Sequence, residues 1–137
     1  MGRIIEMSAF GRLICLLAFL PVVAMAQQWN PPVVATAAGS TGAVVAAMPA
    51  VQSRTNWLCG FDVSAAGGTA TISPVTIAGT LTGNLVYQGI SAGGLPFVVR
   101  FNPCLPASAQ NSAISVTTTA DGTASAVDVQ AYGFLQQ

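Results

Sequence analysis

Beyond Ala26 the sequence contains no histidine, no lysine and no glutamate. Acid–base chemistry near neutral pH needs a side chain that accepts and returns a proton, most often an imidazole, an amine or a carboxylate. Three aspartates are the only such carriers left in this part of the chain. We therefore expect a protein that is not an enzyme and holds no cofactor. The charged residues beyond Ala26 are Arg54, Asp62, Arg100, Asp121 and Asp128.

The same scarcity of charge argues against several classes of binding site. Two arginines are too few for a nucleic-acid surface, where several phosphate contacts supply the affinity. A metal site would lack histidine and cysteine ligands, and no spaced run of oxygen ligands for calcium is present. Asp62 and Asp128 both fall on outward positions of predicted strands, which disfavours a catalytic carboxylate pair in a cleft. We expect neither metal nor nucleic acid.

Residues 1–26 have the pattern of a secretory signal peptide. Arg3 and Arg12 give a basic lead, the apolar run from Leu13 to Val23 follows, and Ala24-Met25-Ala26 is a small-residue exit. An uncleaved anchor is the alternative, but the run is shorter than the about 20 apolar residues that span a bilayer. The sequence thus predicts a protein that is secreted, periplasmic or on the cell surface. It predicts membrane contact only through the signal peptide, before cleavage.

Two cysteines, Cys59 and Cys104, remain after that segment. Export delivers them to an oxidising compartment, where a disulfide is the expected state. A nucleophilic cysteine would need a basic partner to lower its pKa, and arginine is the only basic residue type beyond Ala26. We expect a Cys59–Cys104 bond that holds two sheets face to face.

The remainder divides into an arm, 27–50, and a domain, 51–137. Trp29, Pro31 and Pro32 open a charge-free stretch of small residues without helical periodicity. The prolines favour extended backbone, so the sequence predicts an extended low-complexity arm or an edge strand. No apolar partner for Trp29 is evident among its sequence neighbours. We therefore expect Trp29 to anchor the arm to the domain at 51–137 or to a neighbouring molecule.

From Trp57 onward the hydrophobic pattern has a period of two, which is typical of half-buried strands. Trp57, Cys59 and Phe61 are predicted to share the inward face of the first strand. Further short strands are separated by glycine-rich or proline-containing turns. Five to seven strands without a helix indicate a small antiparallel β-sandwich, jelly-roll or immunoglobulin-like.

The last third of the chain has the clearest local signal. Ile114 to Thr119 and Ala124 to Phe134 both alternate apolar and polar residues, and Asp121-Gly122 separates them. Because this dipeptide suits a tight two-residue turn, we expect the two runs to pair as a β-hairpin.

The predicted solvent face consists mainly of hydroxyl and amide side chains. Sheets usually protect exposed edges with charged residues, and this chain has very few, so its edges are expected to be covered or paired with partners. We predict self-association or a protein partner, through sheet edges and the arm. The residues expected to contact the partner are Trp29, Thr117, Thr119 and Tyr132.

Four segments in the second half also carry a family resemblance. They are Phe101 to Pro106, Asn111 to Val116, Asp121 to Ala124 and Val129 to Gly133. This part of the chain resembles small phage virion-associated β-sandwich proteins, which implies a structural role in a particle. The predicted export signal and the cysteine pair depart from that family, and no functional residue is carried over.

Composition and resemblance together predict a non-catalytic, exported structural or adhesive subunit of a larger surface or virion-like assembly. A pilus-like subunit would explain the export, the disulfide and the arm, because donated strands complete the sheets of neighbours. A secreted glycan- or ligand-binding module is a further alternative. That module would need an aromatic platform built from Trp29, Tyr87 and Tyr132.

Overall fold

The structure, a computed structural model, describes residues 30–66, 73–89, 95–121 and 126–137. The predicted signal peptide, residues 1–26, and Trp29 lie outside these ranges. The described residues form eight strands. In chain order they are β1 (Pro32–Gly39), β2 (Thr41–Met48), β3 (Thr55–Ala66), β4 (Val75–Ala78), β5 (Leu85–Tyr87), β6 (Phe97–Pro106), β7 (Ile114–Asp121) and β8 (Ala126–Gln136).

The strands form two four-stranded sheets with antiparallel pairing, which we term sheet A and sheet B. Sheet A has the order β1-β8-β3-β6, and sheet B has the order β2-β7-β4-β5. One hydrophobic core draws residues from both sheets, so the predicted all-β antiparallel sandwich is confirmed. No helix in the described ranges is long and apolar enough to cross a membrane.

The core is built from alternate residues of each strand, because successive side chains point to opposite faces of a sheet. Ile114 and Val116 of β7 are fully buried, as their alternation predicts. Between the sheets, the ring of Phe61 in sheet A meets Tyr87 of sheet B edge-on, with centroids 5.7 Å apart. Leu81 lies in a turn before β5 and is 66% exposed.

A bulge in β3 reverses the predicted inward face of its first half. The register of β3 against both of its neighbours shifts between Leu58 and Gly60. Leu58 and Phe61 are therefore both fully buried, although they are an odd number of residues apart. Trp57 and Cys59 alternate with Leu58 and are only partly buried. The inward assignment is right for Phe61 and wrong for Trp57 and Cys59, because a bulge inserts one residue into the alternation.

Cys59 and Cys104 form the predicted disulfide, with the sulfur atoms 2.06 Å apart. The bond joins β3 to β6, which are neighbours within sheet A, so the expectation that it holds two sheets together is wrong. Residues 101–104 of β6 lie opposite Cys59 alone, between the paired positions Leu58↔Leu105 and Gly60↔Arg100. The disulfide thus closes the stretch in which the ladder between the two strands is interrupted.

Residues 32–48, part of the predicted arm, lie in the two sheets. β1 pairs with β8 along its whole length, and β2 pairs in the same way with β7. Ser40 joins the two strands, so the chain passes from the edge of sheet A to the edge of sheet B within one residue. Val44 and Met48 are buried in the core, and their packing attaches residues 32–48 to the rest of the sandwich. The predicted boundary at residue 51 falls between strands of one sandwich.

β7 and β8 do not form the predicted hairpin. β7 pairs with β2 and β4 in sheet B, whereas β8 pairs with β1 and β3 in sheet A. The chain therefore crosses between the sheets after Asp121, through residues that the structure does not describe. Val127 and Val129 face the core, as the alternation predicts. A turn signal specifies a reversal of the chain but not whether the two strands join the same sheet.

Candidate functional site

The outer face of sheet B consists of small, uncharged side chains. Thr117 projects from it between Val45 of β2 and Thr76 of β4, and Thr119 lies two residues further along β7. Apart from Asp121 at the end of β7, the four strands of this sheet contain no acidic or basic residue. Such a face neither repels a copy of itself nor attracts a charged ligand. The structure therefore places Thr117 and Thr119 on the kind of surface predicted for them.

Tyr132, the third predicted contact residue within the described ranges, lies on the outer face of sheet A. It belongs to β8 and is paired with Val34 on one side and Gly60 on the other. The predicted contact residues are thus divided between the two outer faces of the sandwich. A single flat partner surface cannot touch Thr119 and Tyr132 of the same molecule.

Tyr132 is held by an ion pair that crosses sheet A. Nη1 of Arg100 donates to Oδ1 of Asp62 at 2.6 Å, and the guanidinium lies 4.4 Å from the centroid of the Tyr132 ring. The hydroxyl of Tyr132 donates to the carbonyl oxygen of Val99 at 3.2 Å. A Cβ at Gly60 would collide with this hydroxyl and with the Val99 carbonyl, so glycine is needed beneath the ring. The result is an ordered arginine–tyrosine pair, a combination enriched at protein interfaces.

An apolar row crosses the same face beside this pair. Trp57 of β3 is paired in register with Phe134 of β8 and Pro106 of β6, and Phe134 is paired with Pro32 of β1. The rings of Trp57 and Phe134 are stacked, with centroids 5.9 Å apart and planes within 5°. Nε1 of Trp57 is buried without a hydrogen-bond partner. This end of the outer face is therefore hydrophobic.

The other end of the outer face of sheet A is polar. A cavity of about 340 Å³ is lined there by residues of three strands, including Thr36, Ser64, Asp128 and Gln130. Asp62 lies on the neighbouring strand, opposite Gln130, and is engaged by Arg100. Both aspartates are on outward positions of their strands, as predicted.

The aromatic platform that a glycan-binding module would need is not assembled from the described residues. Tyr87 packs inside the sandwich, where its ring is 6.3 Å from that of Phe101, whereas Tyr132 is on the outer face of sheet A. Arg100 covers one face of the Tyr132 ring. Trp29, the third proposed member, lies outside the described ranges. Within those ranges, no group of three or more histidine, cysteine or acidic side chains is placed to hold a metal ion.

The sandwich has four sheet edges, formed by β1, β6, β2 and β5. β5 has only three residues. β6 carries Arg100 and two prolines, and the carbonyl oxygen of its last residue, Pro106, accepts a hydrogen bond from the amide of Leu81 at 2.9 Å. β1 and β2 have eight residues each, carry no charge and lie side by side, since Ser40 alone connects them. As far as the described residues show, two edges are thus protected and two are not.

The contacts of Arg100 with Tyr132 and of Phe134 with Trp57 on the outer face of sheet A were not predicted from the sequence. The signal for Phe134 was present, because it follows Tyr132 by two residues in one strand and must share its face. The contact of Arg100 with Tyr132 had no local signal, because it depends on β3 lying between β6 and β8.

Comparison with known proteins identifies no family. No family model matches the chain, and no curated protein matches it. A solved structure that is similar in fold is the cryo-EM structure of the virus-like particle of extra small virus from the giant freshwater prawn Macrobrachium rosenbergii. The match has a TM-score of 0.40 at 17% sequence identity and covers 85% of this chain and 86% of that one. The resemblance to small phage virion-associated proteins stays a prediction.

Proposed function

We propose that the protein is a non-catalytic, exported structural or adhesive subunit that packs with copies of itself into a larger surface or virion-like assembly. The observation that carries the proposal is the side of the sandwich where β1 and β2 run together, uncharged and not covered by any other described segment. Monomeric proteins usually blunt such edges, because unpaired backbone groups in a row are a template for another strand. Two long open edges at one side are better suited to assembly than to a solitary domain.

The outer face of sheet B supports the same conclusion. Copies of a flat surface with exposed Thr119, Val45 and other small side chains can approach closely, since the surface carries almost no charge. The arginine–tyrosine pair and the stacked Trp57–Phe134 rings give sheet A the residue types that anchor protein interfaces. Each outer face therefore offers a contact surface, and a subunit with two contact surfaces can extend an assembly.

The proposed export is supported by the disulfide, and the proposed non-catalytic role by the side-chain composition. The Cys59–Cys104 disulfide is a bond that persists in oxidising compartments, which agrees with the predicted signal peptide. The scarcity of groups that exchange protons near neutral pH remains the argument against catalysis.

The proposal is tested by the size of the exported, oxidised protein in size-exclusion chromatography with light scattering. We expect species much larger than a single chain, whose mass is at most the 13.8 kDa of all 137 residues. Thr119→Lys, which adds a charge to the outer face of sheet B, should shift the distribution toward smaller species. Gln110→Lys, an equal change on the exposed turn before β7, is the matched control and should leave it unchanged. A wild-type protein that runs as a monomer at all concentrations and binds glycans on an array would contradict the proposal.

A further inference from the structure

The backbone of β1 shows which of its groups face the open edge of sheet A. The amide of Leu135 donates to the carbonyl oxygen of Pro31 at 3.0 Å, and these two residues are opposite each other in the register that pairs Pro32 with Phe134. In an antiparallel ladder, opposite residues alternate between hydrogen-bonded and non-hydrogen-bonded pairs. The odd-numbered residues of β1 therefore bond to β8, and the even-numbered residues point their backbone groups away from it.

The even-numbered residues are Pro32, Val34, Thr36 and Ala38. Three of them have an amide proton to donate, because proline has none. All four have a carbonyl oxygen that can accept. Val34 is 65% exposed, so its side chain is also uncovered on the outer face. The open edge of β1 thus presents three backbone amide donors and four carbonyl acceptors. Pro32, which cannot donate, lies at one end of this row.

We propose that β1 pairs in antiparallel fashion with β1 of a second copy, so that two sheets A become one continuous eight-stranded sheet about a twofold axis at Thr36. This inference rests on the proposed self-association and specifies its interface. With Thr36 opposite Thr36, each Val34 is opposite Ala38 of the other copy. Every available amide of the edge then finds a carbonyl oxygen, and each Pro32 falls outside the three bonded pairs.

No other register satisfies more groups. With Val34 opposite Thr36 every amide is also bonded, but Pro32 then lies inside the ladder opposite Ala38, whose carbonyl oxygen is left without a donor. With Val34 opposite Val34, each Pro32 is opposite Thr36 of the other copy, and one carbonyl in each pair is left without a donor.

A second copy suits this edge because identical strands without charge do not repel one another, and because twofold pairing is self-complementary. β2 is the less suitable edge, since Gly42 near its start has a left-handed φ of 75° that interrupts an extended strand.

Cysteine cross-linking of the exported full chain tests the interface. Directly opposite residues in a hydrogen-bonded pair have Cα atoms about 5.5 Å apart, within the range that a disulfide spans. Thr36→Cys should therefore give a covalent dimer on a non-reducing gel after mild oxidation. Gln130→Cys is the matched control, because Gln130 is opposite Thr36 on the same outer face but in the next strand inward. Two copies of Gln130 would be about 14 Å apart, three strand spacings, and should remain uncoupled.

The register is tested with two further variants. Val34→Cys alone should give little dimer, whereas a mixture of Val34→Cys and Ala38→Cys proteins should give the mixed dimer. Val34→Pro removes an amide that faces the open edge and none that bonds to β8, so the fold should remain and the dimer should weaken about tenfold or more. Val34→Thr retains the amide and should behave as wild type. Circular dichroism checks the fold of each variant.

The outcomes separate this inference from the proposed function. If neither Thr36→Cys nor the mixed pair cross-links while the wild type forms large species, the β1 pairing is wrong and assembly uses another surface. Equal cross-linking of Thr36→Cys and Gln130→Cys would mean random collision and would also overturn the pairing. A wild type that is monomeric throughout would overturn both.

Discussion

Removing the Cys59–Cys104 disulfide should destabilise the fold by about 4 kcal/mol. The two cysteines are 45 residues apart in sequence. In the chain-entropy model, closing a loop of that length removes about 13 cal/mol/K from the unfolded chain, which is about 4 kcal/mol at 25 °C. This is a large part of the 5–15 kcal/mol or so that separates folded from unfolded states in ordinary domains. The disulfide variant, Cys59→Ala with Cys104→Ala, is expected to be marginally stable.

Urea unfolding of the oxidised protein and the double variant measures the difference. Both samples must be at the same protein concentration, because association adds to apparent stability. With a slope of about 1.5 kcal/mol/M, the midpoint should fall by about 2.5 to 3 M urea.

Amide hydrogen exchange shows which strands lose protection when the disulfide is removed. Because the bond spans the interrupted stretch between β3 and β6, the double variant should lose protection first in β6 and to a lesser extent in β7. A stability loss below about 1 kcal/mol would refute the entropy argument. Equal loss of protection in β6 and β7 would refute the role assigned to the bond in sheet A.

Three other substitutions test separate contacts by urea unfolding. Asn56 is buried, and its Nδ2 donates to two backbone carbonyl oxygens at 2.9 Å, so Asn56→Ala should cost about 2 to 3 kcal/mol; an unchanged midpoint would contradict this. Gly133→Ala would drive a Cβ into the carbonyl oxygen of Trp57, and should cost more than about 2 kcal/mol or prevent folding; a stable variant would show that β8 can shift there. Arg100→Ala removes an exposed ion pair and should cost no more than about 1 kcal/mol, so a larger loss would mean that the pair supports the fold.

The alternation of residues in β7 and β8 was enough to predict which side chains are buried. Ile114 and Val127 both face the core, as the pattern requires, although they do so from different sheets. Their pairing could not be predicted, because partners of a strand are chosen by long-range packing that a local turn signal does not report. The same limitation explains why Cys59 and Cys104 were expected to bridge two sheets. Their bond was predictable from the cysteine count and the predicted signal peptide, but its place in sheet A depends on β3 and β6 being neighbours.

The outward positions of the predicted contact residues follow in part from the sequence, whereas their contact with a partner stays a prediction. The period of β7 predicts that Ser115, Thr117 and Thr119 share its outward face, because Val116, which lies between Ser115 and Thr117, is buried. Tyr132 was also placed on an outward position, but the sheet to which it belongs was not predictable. The bulge between Leu58 and Gly60 had no sequence signal beyond the glycine itself, and it moved Trp57 from the predicted core to an outer face.

The central claim is that open, uncharged sheet edges make this chain a subunit of an assembly. Sedimentation velocity of the exported, disulfide-bonded wild-type protein over a hundredfold range of concentration tests it most directly. We predict species heavier than one chain that grow with concentration and remain intact at high salt, because the contacts contain few charges. A single boundary with the mass of one chain across the whole range would contradict the account.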